Sequence, residues 1–83
     1  MQYIIMCRSL TYAQRAARIL EKEGIYAGLS KAPQGATPEG CTFGVKLAER
    51  HWKRGLEILS RAGIRVGRVF ALTEDGKSKE VRV

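Results

Sequence analysis

Two kinds of hydrophobic spacing alternate along the chain. Gln2–Arg8 (QYIIMCR) is β-rich and apolar on both faces, the pattern of a central strand ending near Cys7. Ala13, Ala16, Ala17 and Leu20 then recur at helical spacing, with Arg15, Arg18 and Lys22 on the opposite side. Ser9 or Thr11 caps this helix, and the capping-box spacing of Thr11 to Gln14 favours Thr11. Gly24 is its C-terminal stop. Ile25–Lys31 reads as a second strand with Ile25, Ala27 and Leu29 inward. After the loop KAPQGATPEG, residues Cys41, Phe43, Val45 and Leu47 alternate with Thr42, Gly44 and Lys46, the two-residue period of a half-buried third strand. Ala48–Ala62 is a second helix with Trp52, Leu56 and Leu59 as its apolar stripe and Gly63 as its stop. Gly55 inside it costs about 1 kcal/mol against alanine, which marks close packing on the sheet. Ile64–Leu72 is the last strand, with a bulge near Gly67.

The order β-α-β-β-α-β predicts an α+β, ferredoxin-like sandwich. Its antiparallel sheet would have the order 4-1-3-2, with both helices on one face. Residues 1–72 form this single domain. Thr73–Val83, almost without apolar residues, is expected to be a mobile charged tail.

Composition narrows the class. The chain has 83 residues, 45% of them hydrophobic and 28% charged, as in a one-domain globular protein. No apolar run approaches the roughly 20 residues of a membrane span, and the N-terminus lacks a signal-peptide pattern, so no membrane partner and a cytoplasmic location are expected. Two cysteines and one histidine are too few for a disulfide framework or a zinc site, so no metal and no cofactor are expected. The net charge is +7, and the acids and bases of the tail balance, so the excess sits on residues 1–72. That favours anionic partners, or is simply a solvated basic surface.

The expected topology concentrates chemistry at one end of the sheet. The first strand ends at Cys7 and its neighbour, the third, begins at Cys41. The first helix also starts there, bringing backbone N–H groups and the positive end of its dipole beside Arg8 and Ser9. Such surroundings lower a thiol pKa and suit a small anion. The bland reading is that each cysteine is a small core residue. Cys7, inside an apolar strand, fits the core. Cys41, at the edge of a Gly/Pro loop, stands between the two readings. His51 reads as a surface residue, and neither an RNA-recognition motif nor a phosphate-binding glycine fingerprint is present.

Over residues 2–72 the chain resembles a family of small selenium/sulfur carrier-like domains. The resemblance rests on Arg8-Ser9 leading into an alanine-rich helix, Lys22-Glu23-Gly24-Ile25 ending it, a proline-bearing loop before Cys41, and Ala62-Gly63-Ile64 closing the second helix. It implies a non-enzymatic carrier in which Cys41 holds a persulfide or a selenide-derived group and passes it between protein partners. The expected topology, rather than the resemblance, would set Arg8, Ser9, Thr11, Gly40, Thr42 and Cys7 around that group, and Cys7 is not a feature of the family. Thr42 stands where the family commonly has glycine. The alternative is a basic module that binds RNA or a protein partner, using Lys46, Arg50, Lys53, Arg54, Arg65 and Arg68. An open sheet face would also offer a surface for pairing two copies.

Overall fold

The structure, a computed structural model, describes residues 2–31, 43–75 and 77–81. Along them run β1 (Gln2–Cys7), α1 (Leu10–Lys22), β2 (Gly28–Lys31), β3 (Phe43–Ala48), a 3₁₀ turn (Glu49–His51), α2 (Trp52–Arg61), β4 (Val66–Leu72) and β5 (Ser78–Val81). The strands pair antiparallel in the order β2-β3-β1-β4-β5. This corrects the expected four-stranded, 4-1-3-2 ferredoxin-like sheet to a five-stranded α+β arrangement. The extra strand comes from the segment read as a tail outside the domain. Its charges suit an edge strand, which keeps a polar outer side while its backbone covers the ladder groups of β4. Val81 pairs with Val69 and packs against the core.

Strand register decides which side chains meet the helices. Leu29, Val45, Ile5, Val69 and Val81 form one cross-strand row, and Leu47, Tyr3 and Ala71 another. The main core joins Ile5, Cys7, Val45, Leu47 and Val69 to Ala13, Ala16 and Leu20 of α1 and to Trp52 and Leu59 of α2. Tyr3 stacks on Trp52 with ring centroids 4.7 Å apart. Gly55 lets α2 approach: a Cβ there would come within 2.7 Å of a Leu47 methyl and 3.4 Å of a Leu20 methyl. On the other sheet face, Ile4, Met6 and Phe70 form a second cluster. They are 2%, 1% and 4% exposed. The large hydrophobic residues that are exposed among the described residues, Leu10, Tyr26 and Leu29, do not belong to this cluster. On the β4 side, the partner shifts from Val69 opposite Ile5 to Val66 opposite Cys7, which places the bulge at Gly67–Arg68.

Both helices end in the same way, for the same reason. Gly24 has φ +79° and Gly63 φ +77°, the left-handed region that favours glycine. In α1 the Ile25 N–H bonds the Leu20 carbonyl and the Gly24 N–H bonds that of Glu21; in α2 Ile64 and Gly63 do the same to Leu59 and Ser60. This is the Schellman pattern, with Ile25 and Ile64 as its buried apolar residues. It also explains why β2 begins at Gly28 rather than Ile25: the Ile25 backbone is occupied by the cap. An alanine at Gly24 or Gly63 carries about 1–2 kcal/mol of left-handed strain, partly offset by lower unfolded-state entropy. Each single substitution is expected to lower Tm by roughly 4–8 °C, and the pair additively, by thermal melts.

The turn into β5 is held by polar groups. The Thr73 N–H bonds the Lys77 carbonyl at 2.9 Å. The Thr73 hydroxyl faces the Asp75 carboxylate and, at 3.1 Å, the Lys77 carbonyl, while the Lys77 N–H donates to Asp75 at 3.3 Å. The Thr73 hydroxyl and then the Lys77 N–H hold the Asp75 pKa below its ordinary 3.8. A depressed carboxyl stabilises the folded state above its unfolded pKa, and that contribution is lost as pH falls through the folded value. Wild-type protein should therefore lead Asp75→Asn in protection of the β4–β5 amides at neutral pH. The lead should close below the ordinary carboxyl range, as hydrogen exchange would show. Among the described residues no helix is long and apolar enough to cross a membrane.

Candidate functional site

The end of the sheet where β1 hands over to α1 is built by a short connection. β1 stops at Cys7, and only Arg8 separates it from Ser9, the N-cap of α1. Ser9 is extended, with φ −156° and ψ 172°, and its hydroxyl accepts the Tyr12 N–H at 3.4 Å. Its carbonyl takes the Ala13 N–H at 2.9 Å. Thr11, the expected cap, lies inside the first turn instead. The strand ends so close to the helix that the extended Ser9 already meets the first turn, and the capping-box spacing is overridden.

The first-turn donors that Ser9 does not engage are the N–H groups of Leu10 and Thr11. The first turn carries no acidic residue, so the positive end of the helix dipole is not offset there. Arg8, Ser9 and Thr11 are exposed around it. β3 reaches the same end: Gly44 pairs with Met6, and Phe43 is the first described residue of that strand. The structure therefore gathers Cys7, Arg8, Ser9 and Thr11 at one end, next to the start of β3. Cys41, Gly40 and Thr42 lie outside the described residues, as do the loop before them and the expected meeting of Cys7 with Cys41.

Cys7 is a core residue. It is 1% exposed, on the helix-facing side with Ile5, and its sulfur lies 3.8 Å from the Ile5 carbonyl. The sequence left its orientation open because all its strand neighbours are apolar. Among the described residues, no three His, Cys, Asp or Glu side chains gather as a metal site.

The basic residues of the alternative reading do not share one surface. Lys46 belongs to the row with Ile4 and Phe70, on the sheet face away from the helices. Arg68 stands 3.9 Å from Glu80, whose partner across the ladder is Phe70, on that same side. Lys53 and Arg54 are on α2, in the other layer, and the Lys53 ammonium lies 5.8 Å from the Trp52 ring centre.

No curated protein and no solved structure matches the chain. One family profile does. Its description is "Putative Se/S carrier protein-like", it spans residues 2–71, and by that match the chain belongs to this family.

Proposed function

We propose that the protein is a sulfur or selenium carrier in which Cys41 holds the transferred atom between a donor protein and an acceptor protein. The observation that carries the reading is the family match across residues 2–71, which includes Cys41. The arrangement next to it supports the chemistry. Cys41 stands two residues before Phe43, the first described residue of β3. That strand end adjoins exposed Arg8 and the acid-free N-terminus of α1. A cation and a helix N-terminus favour thiolate over thiol.

For sulfur, the step is a displacement. The Cys41 thiolate attacks the outer sulfur of a donor persulfide, the donor's S–S bond breaks, and the donor leaves as a thiolate. Cys41 then carries the persulfide, with no net oxidation or reduction. The reverse attack by an acceptor thiolate unloads it. Arg8 balances the charge on whichever sulfur is ionised.

The test is loading by a low-molecular-weight persulfide, read by intact mass. Wild type and Cys7→Ser are expected to gain the mass of one sulfur that a thiol acceptor then removes. Cys41→Ser is expected to gain none while folded. Loading that survives Cys41→Ser and disappears in Cys7→Ser would overturn the assignment.

A further inference from the structure

At the opposite end of the sheet, residues far apart in sequence line one groove. Gln2, Tyr26, Gly28, Lys46, Arg50 and His51 meet around a volume of about 620 Å³. The groove lies where β1 begins and β3 finishes. Five residue steps along β1 separate it from Cys7, roughly 17 Å at strand rise. Its size falls within the usual range of small-molecule sites, about 300–1,000 Å³. Among the described residues that line it there is no carboxylate.

The parts have complementary chemistry. Tyr26 is 86% exposed, so its ring contributes little to the core. The ring sits over Gly28: a Cβ at that glycine would lie 3.8 Å from the phenol oxygen and 3.9 Å from a ring carbon. Lys46 is the direct cross-strand partner of Gly28, which sets its side chain beside the Tyr26 platform. Arg50 uses its Nε–H on His51 Nε2 at 3.3 Å, which orients the guanidinium and leaves its terminal N–H groups for a ligand. The C-terminal end of α1 also reaches the groove at Gly24. Its Leu20 and Glu21 carbonyls are already taken by the Ile25 and Gly24 N–H groups, so the anion-repelling end of that helix is capped.

A flat aromatic surface beside an ammonium and a guanidinium suits a ligand that is both planar and anionic. We infer that this groove binds a nucleoside monophosphate, its base stacked on Tyr26 and its phosphate held by Lys46 and Arg50. The Gln2 amide offers a donor and an acceptor to the edge of the base. The site stands apart from the thiol end and does not rest on the carrier reading. Sequence alone did not reveal it because the pairing of Gly28 with Lys46 is what joins its two halves.

The experiment is an NMR titration of the full chain with AMP, adenosine, inorganic phosphate and a single-stranded oligonucleotide. AMP is expected to shift the amide signals of Gly24–Gly28, Lys46, Arg50 and His51. Because stacking and phosphate contacts act together, it should bind at least about ten-fold more tightly than adenosine or phosphate alone. Gly28→Val, which displaces the ring, and Arg50→Glu, which reverses the charge, should each weaken AMP about ten-fold while keeping the wild-type melting profile. The inference fails if AMP shifts none of these signals, if phosphate alone binds as well, or if both variants bind AMP as wild type does. An oligonucleotide that shifts Lys53 and Arg54 while AMP shifts nothing would replace it with an RNA surface on α2.

Discussion

Gly44→Ala is expected to destabilise the domain more than any other single methyl group added to a glycine of the sheet. A Cβ at Gly44 would lie 2.5 Å from the Ile5 carbonyl oxygen and 3.0 Å from both the Met6 Cα and an Ile4 methyl. Two of these three atoms are backbone. They belong to β1, which is hydrogen-bonded to β3 on one side and β4 on the other, so they cannot move without disturbing a ladder. Overpacking of this kind costs on the order of 1–3 kcal/mol. A domain of this size has roughly 4–12 kcal/mol in all. At the upper end of that cost Tm should fall by roughly 12–24 °C. Gly67→Ala is the control. Its Cβ would meet the Met6 carbonyl at 3.5 Å, an ordinary contact at a bulge, and should change Tm by only a few degrees, about as surface substitutions do. Equal melting temperatures for the two variants would show that the β1–β3 approach is looser than described.

What the sequence revealed and what it hid follow the same physics. The Ala13, Ala16 and Leu20 stripe was legible because one face of α1 is buried and the other is wet. The alternation from Phe43 to Leu47 was legible because Phe43, Val45 and Leu47 pack with the helices while the intervening positions are a glycine and a lysine. β1 was legible as a strand but not in orientation, since Ile5 and Cys7 face the helices while Ile4 and Met6 join Phe70 behind, and a strand buried on both faces has no two-residue period. β5 was hidden because Ser-Lys-Glu-Val carries no apolar alternation. Its pairing depends on backbone groups and on Thr73 and Asp75 in the turn, which composition does not reveal. At the candidate site, Arg8 and Ser9 were legible from their place between strand and helix. The choice of Ser9 over Thr11 was not, because it depends on how closely α1 follows β1.

The second large effect concerns the thiols. Cys7 is buried in the core, so in the folded protein it should react slowly with a water-soluble alkylating agent. The carrier reading requires the opposite of Cys41. An ordinary thiol with a pKa near 8.5 is only a few per cent thiolate at neutral pH. A carrier thiol has to be ionised often enough to attack a persulfide, so under that reading the fast phase of alkylation should titrate below that ordinary value. Loss of Cys41 should therefore remove nearly all rapid alkylation, whereas loss of Cys7 should leave it intact.

The most direct test is the pH dependence of the alkylation rate for the folded wild type, Cys7→Ser and Cys41→Ser. A fast phase is expected in wild type and in Cys7→Ser, with a midpoint below that of an unfolded peptide thiol. In Cys41→Ser alkylation should wait for denaturation. A Cys41 that reacts no faster than a peptide thiol, or only after the protein is unfolded, would contradict the assignment of Cys41 as the carrier.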